Sequence, residues 1–192
     1  MPPPDDPAER DTPPDDSAER DTPPDDSAER DTPPDDPLDR AEQSHGTRGP
    51  IDRRALIDFR SAFERVEPLA TGELDDPVAP TELQIRLTDG IGSADSARFD
   101  VSWTTVDEYT IHYTDSTGRN CRWDRHPHEF PQPTDDRHFH PPPDASSDPE
   151  DVESSCIEVA EVSLVARAVH ALWRQAYDRG DTAGINAMDD PP

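Results

Sequence analysis

Between residues 83 and 123, apolar side chains fall on every second position in four separate runs. The runs are Leu83-Ile85-Leu87, Ala97-Phe99-Val101-Trp103, Tyr109-Ile111-Tyr113 and Cys121-Trp123. Period-two alternation is the signature of a strand with one face buried and the other polar. Four such runs in forty residues predict an antiparallel meander. Turn chemistry sets its register. Ser116-Thr117-Gly118 suits a three-residue loop with glycine in the left-handed position, which pairs Tyr113 with Cys121 and Ile111 with Trp123. A similar loop at Thr105-Val106-Asp107 pairs Trp103 with Tyr109 and Val101 with Ile111. A slip of one residue would mix the faces, so the apolar pattern supports these pairings.

The flanks switch to helical spacing. Ile51, Ala55, Phe59, Ala62, Phe63 and Val66 predict a helix beginning near Gly49-Pro50, with Asp52 in its first turn, and ended by Pro68. Val159, Val162, Val165, Val169, Leu172, Trp173 and Ala176 predict a second helix. The stretch from His126 to about Pro149 is proline-rich and reads as irregular. The expected fold is therefore α+β: a four-stranded antiparallel meander covered on its apolar face by an N-terminal and a C-terminal helix.

Residues 1–40 are four decapeptides, MPPPDDPAER, DTPPDDSAER, DTPPDDSAER and DTPPDDPLDR. Adjacent prolines exclude a helix, and the units carry no apolar face to stack, so a solvated polyproline-like arm is expected rather than a solenoid. The predicted organisation is a disordered acidic repeat arm over 1–49, a single α+β domain over 50–178 and a flexible tail over 179–192.

The chain of 192 residues carries 45 acids against 18 basic residues, a net charge of -27, and every basic residue is Arg. The first 44 residues account for -12, so the folded part is acidic as well. An Asp-rich, Lys-free composition of this kind points to a salt-adapted, haloarchaeal protein. In molar salt the screening length falls to roughly 3 Å, where such self-repulsion is tolerable. A broad basic surface for wrapping nucleic acid is not expected, although net charge alone does not exclude RNA as a partner once salt screens it. The start Met1-Pro2-Pro3-Pro4-Asp5-Asp6 has no signal-peptide character, and no run approaches the ~20 apolar residues of a membrane span. A cytoplasmic protein with no membrane partner is expected. Cys121 and Cys156 lack CxxC spacing and read as reduced, structural side chains.

The polar face of the predicted meander holds the candidate chemistry. The registers put Asp100 opposite His112, and His112 opposite Arg122. The next row holds Ser102, Thr110 and Asp124, and the one beyond it Thr104, Glu108 and His126. A carboxylate beside His112 would hold its imidazole and raise its pKa, whereas Arg122 would lower it and could bind an anion such as phosphate. An ordinary solvated face with charge pairs is the competing reading. Five of the seven histidines lie between His112 and His140. The pairs His126-x-His128 and His138-x-His140 each place two imidazoles on one side of an extended segment, which suits a divalent metal or acid–base chemistry on a phosphodiester. The spacing is no recognised zinc signature, and the residues alone assign no particular metal or cofactor. Arg119, Arg122, Arg125 and Arg137 flank the histidines, and Trp123, Phe130 and Phe139 interleave them. Such a stretch could grip RNA and stack a base, or anchor a protein interface.

At this stretch the sequence resembles the TumE family of toxins from prokaryotic toxin–antitoxin pairs. Tyr109-x-x-His112 matches the family's Tyr-x-x-His strand, Gly118 its turn glycine, and Arg122-Trp123-Asp124 its Arg-Trp/Tyr-Asp element. Pro127-His128 falls on its Pro-His pair, and His138 and His140 on the last two histidines of its His-His-x-His segment. Glu129, Arg125, Asp135-Asp136 and Arg137 depart from the family pattern. The resemblance implies a toxin-like component with a ribonuclease-type activity on RNA or translation, and a cognate antitoxin as partner. The residues expected to carry the activity are His112, Arg122, Asp124, His128, His138 and His140. Two alternatives stand beside it: a non-catalytic protein-binding module, and a metal-binding protein of a halophile.

Overall fold

The computed structural model describes residues 47–189 and residue 191. The four decapeptides lie outside the described residues. Helix α1 spans Arg53–Val66 and helix α2 spans Val162–Arg179. Between them run seven strands: β1 (Ala70–Leu74), β2 (Leu83–Leu87), β3 (Ala97–Trp103), β4 (Tyr109–Asp115), β5 (Asn120–Arg125), β6 (Arg137–His140) and β7 (Glu153–Ser154). They form one antiparallel sheet in chain order. Among the described residues the fold is α+β with two helices, but the sheet has seven strands, not four.

The three extra strands are the ones without alternation to read. β1 is Ala-Thr-Gly-Glu-Leu, with a glycine on its inward side. β6 is Arg-His-Phe-His, where Phe139 is the one apolar residue, and it lies inside the stretch expected to be irregular. β7 contributes two exposed polar residues. Strands this poor in apolar side chains are held by ladder hydrogen bonds to an established neighbour rather than by their own pattern.

The hairpin registers agree with the turn argument: Trp103 faces Tyr109, Ile111 faces Trp123 and Tyr113 faces Cys121. Gly118 has φ 86° and Asp107 φ 62°, the left-handed positions that close the two three-residue loops. The helix starts differ from expectation. Asp52 is the N-cap of α1, its side chain accepting from the N–H groups of Arg54 and Ala55, so the helix begins three residues beyond Pro50. Ile51 instead makes an isolated bridge to Thr104. Glu161 caps α2 through Leu164 N–H, which puts Val159 before the helix. Gly180 ends α2 in the left-handed conformation.

The core lies between the helices and one sheet face. Leu56, Phe59 and Phe63 of α1 and Val165, Val169, Leu172 and Trp173 of α2 are fully buried against Ile85, Phe99, Val101, Trp103, Ile111 and Trp123. Each such side chain contributes roughly 1.5–3 kcal/mol by leaving water. Buried Glu67 at the end of α1 ties the helices together, 3.1 Å from His170 Nε2 and 3.5 Å from Arg174. Past α2, Ile185 also packs into the core, and the Asn186 side chain bonds Cys156 N–H and Ser154 C=O. With the apolar face covered, the opposite face of the sheet is left to polar side chains.

Candidate functional site

The polar face is built by alternation across four strands. Trp123 points into the core, so Arg122 and Asp124 point the other way. β6 pairs Arg122 with His140 and Asp124 with His138. Two rows result: Asp100, His112, Arg122 and His140 in one, and Ser102, Thr110, Asp124 and His138 in the next. β6 was not legible as a strand, yet it is the element that brings the distant His-x-His pair onto Asp124.

Asp124 is the centre. Its Oδ2 accepts a 2.6 Å hydrogen bond from Arg122 Nε. Nε2 of His140 lies 3.2 Å from the same oxygen, Nε2 of His138 3.5 Å and Nε2 of His126 3.6 Å. Asp124 and His138 are wholly buried, and the His140 side chain is 1 % exposed. One donor atom from each of Asp124, His138 and His140 fits within 4.8 Å of the others, a set able to hold a metal ion. Arg122 Nη2 reaches His140 Nε2 at 2.9 Å.

The far nitrogens of the three rings all meet main-chain carbonyls. Nδ1 of His126 is 2.9 Å from Pro127 C=O, Nδ1 of His138 is 3.2 Å from Asp136 C=O, and Nδ1 of His140 is 2.6 Å from Ser146 C=O. A carbonyl only accepts, so each Nδ1 carries the proton, an assignment made from partners. Oδ1 of Asp124 and Nε2 of His126 and His138 have no hydrogen-bond partner.

Electrostatics separates the members. Burial works to raise the Asp124 carboxyl, but contacts from His126 and His140 and the charge of Arg122 hold it well below the usual carboxylate range. Burial, aided by the neighbouring imidazoles, pushes His138 down to about 4 despite Asp124. Burial also opposes the charged form of His126, but Asp124 and the Pro127 carbonyl outweigh it and raise its pKa. The same carboxylate thus meets two rings shifted in opposite directions, His126 up and His138 down.

The expected site residues are not all brought together. Arg122, Asp124, His138 and His140 converge, and His128 joins at the rim, its ring 4.5 Å from that of His138. Both nitrogens of His128 are engaged by the backbone, Nε2 with Asp135 C=O at 2.8 Å and Nδ1 with Phe130 N–H at 3.2 Å. His112 is half-buried in the same row, but its Nε2 meets Asn120 Oδ1 at 3.1 Å. The expected carboxylate partner is otherwise occupied, since Asp100 accepts from Arg98 at 2.8 Å. Asp100 is taken by a neighbour two residues away on its own strand, and His112 by Asn120 of the adjacent strand β5, two positions off its register partner Arg122.

The basic and aromatic stretch also divides. Trp123 and Phe139 pack on each other in the core, their centroids 5.1 Å apart. Arg125 and Arg137 pair in register beside them, off the histidine face, with Arg137 held by Asp135 and Glu158 C=O. Arg119 braces the loop through Asp115 and Ile91 C=O. Of the aromatics singled out, Phe130 alone lies against the histidines, 5.5 Å from His138 and 5.9 Å from His140. His126 was not among the residues expected to carry the activity. Its signal was its place two residues beyond Asp124, on the same side of the chain.

Among the described residues, no helix is long and apolar enough to cross a membrane. No curated protein and no solved structure matches the chain. A family model described as Toxin TumE matches residues 59–179, from the middle of α1 to the last residue of α2, and so takes in all seven strands and the histidine centre. With nearly two thirds of its length matched, the chain belongs to the TumE toxin family.

Proposed function

We propose that this chain is the toxin of a toxin–antitoxin pair and acts in the cytoplasm on RNA, free or within the translation machinery, with a cognate antitoxin protein as its partner. The observation carrying the reading is the position of Arg122, whose guanidinium joins Asp124 and His140 on one side and whose row continues through half-buried His112. An Arg beside an imidazole is the pairing that phosphodiester chemistry needs, one for the anion and one for the proton. In this reading His112 moves the proton, Arg122 holds the phosphate, and Asp124 fixes Arg122. His138 and His140 support that carboxylate from β6. His128 orders the Phe130 loop, where a base can stack. The strongly acidic, Lys-free composition supports a haloarchaeal host, in whose salt the net charge is screened.

The full chain incubated with end-labelled RNA in molar salt tests this reading. Discrete cleavage products are expected, with His112→Ala slowing their formation by about 10²–10⁴-fold, the usual range for a general acid or base. A second reading, a non-catalytic protein-binding module, is favoured by the zero exposure of Asp124 and His138. RNA left intact, with translation in a salt-adapted extract unimpaired and a stoichiometric partner lost on Phe130→Ala, would decide for it.

A further inference from the structure

The hydrogen-bond pattern of the buried centre has a chemical consequence. In a neutral imidazole with its proton on Nδ1, Nε2 is a bare lone pair. With Nδ1 of each ring held by a main-chain carbonyl, Nε2 of His138 and of His140 turns toward the Asp124 carboxylate, at 3.5 and 3.2 Å in a buried place, and Arg122 donates to the His140 Nε2. Acceptor facing acceptor at zero exposure is unfavourable unless a cation lies among them. Arg122 answers only part of the demand, since it satisfies Asp124 Oδ2 and His140 Nε2 and leaves Asp124 Oδ1 and His138 Nε2 without a partner.

We propose that Asp124, His138 and His140 bind a divalent transition-metal ion, zinc being the best match among common ions. The donor set is two imidazole nitrogens and one carboxylate oxygen, which suits zinc and its first-row neighbours and disfavours the all-oxygen coordination of magnesium or calcium. The Nδ1–H groups held by Asp136 and Ser146 carbonyls are the outer partners that ligating histidines have, fixing tautomer and ring orientation. Three protein ligands leave a further position, which an outside molecule can take. The ion takes the His140 lone pair from Arg122, and the released Nη2 becomes available to an anion. This inference stands independently of the action on RNA: a chain that binds zinc and cleaves nothing keeps it, and a chain that cleaves RNA without zinc loses it.

The test uses the full chain without a polyhistidine tag, stripped with chelator and dialysed against Zn²⁺ in molar salt. About one zinc per chain and a higher Tm are expected, with His170→Gln, remote from the centre, retaining both. The combined Asp124→Asn, His138→Gln and His140→Gln variant is expected to retain no zinc. Because that variant can lose its fold, imidazole ¹⁵N spectra of the zinc-free wild type supply a second readout. His138 and His140 are expected as Nδ1–H tautomers whose Nε2 resonances move when zinc is added. Absence of retained zinc with an unchanged Tm, equal retention by the folded triple variant, or Nε2–H or doubly protonated rings at neutral pH would each overturn the proposal.

Discussion

Arg122 and Asp124, two positions apart on the same face of β5, meet through a 2.6 Å Nε–Oδ2 hydrogen bond, and the carboxylate has no exposure to water. Charge, burial and chemistry converge on this pair. Removing one partner of a buried pair leaves the other uncompensated, which typically costs about 3–5 kcal/mol. Arg122→Met should therefore lower the unfolding free energy by about 3 kcal/mol in denaturant titrations of the zinc-free chain. Saturating zinc should reduce the deficit, because the ion supplies a cation to Asp124. A deficit below about 1 kcal/mol would show that the pair is dispensable to the fold.

A second prediction concerns pH. Tyr177 O–H donates to Asp89 Oδ2 at 2.5 Å, joining the last turn of α2 to the loop after β2. This bond, with help from Gly90 N–H, lowers the Asp89 carboxyl, and the same bond raises the Tyr177 phenol. A lowered carboxyl contributes stability above its ordinary pKa, near 4, which is lost as pH falls through the lower folded value. A raised phenol contributes below its ordinary pKa, near 10, and that is lost as pH rises through the higher folded value. The bond thus contributes in full between about pH 4 and pH 10. Tyr177→Phe should lower Tm across that window, and the difference from wild type should shrink on either side of it. A difference independent of pH would contradict this role.

The core gives a third. Phe63 is fully buried between Phe59, Phe99 and His170, with centroid distances of 6.3, 5.3 and 5.5 Å. It therefore joins α1 to both the sheet and α2. Phe63→Ala should destabilise the chain by about 3–5 kcal/mol, the lost transfer energy plus the cavity. A midpoint shift equivalent to less than 1 kcal/mol in a denaturant melt would mean that the helices are not seated as described.

The sequence made the central sheet legible for a physical reason. Strands β2 to β5 bury one face under the helices, so apolar residues mark every second position, and Gly118 and Asp107 close hairpins whose length sets the register. β6 was hidden because Phe139 alone faces the core, while His138 and His140 lie on the opposite, polar face. The row Asp100, His112, Arg122 followed from the register, but alignment of backbones does not decide which side chains bond. Arg98 and Asn120 took the partners that the row alone would have assigned. The histidines cluster in the sequence, and the packing of Phe130 against His138 and His140 had no sequence signal at all.

Growth of a salt-adapted host after induction tests the central claim most directly, namely that the polar face around Asp124 is the working part of a TumE-family toxin. The account predicts arrest by the wild-type chain, relief by a co-expressed antitoxin, and near-normal growth with Arg122→Gln or His140→Gln at equal protein level. Undiminished growth with the wild-type chain, or arrest unchanged by both folded variants, would contradict it.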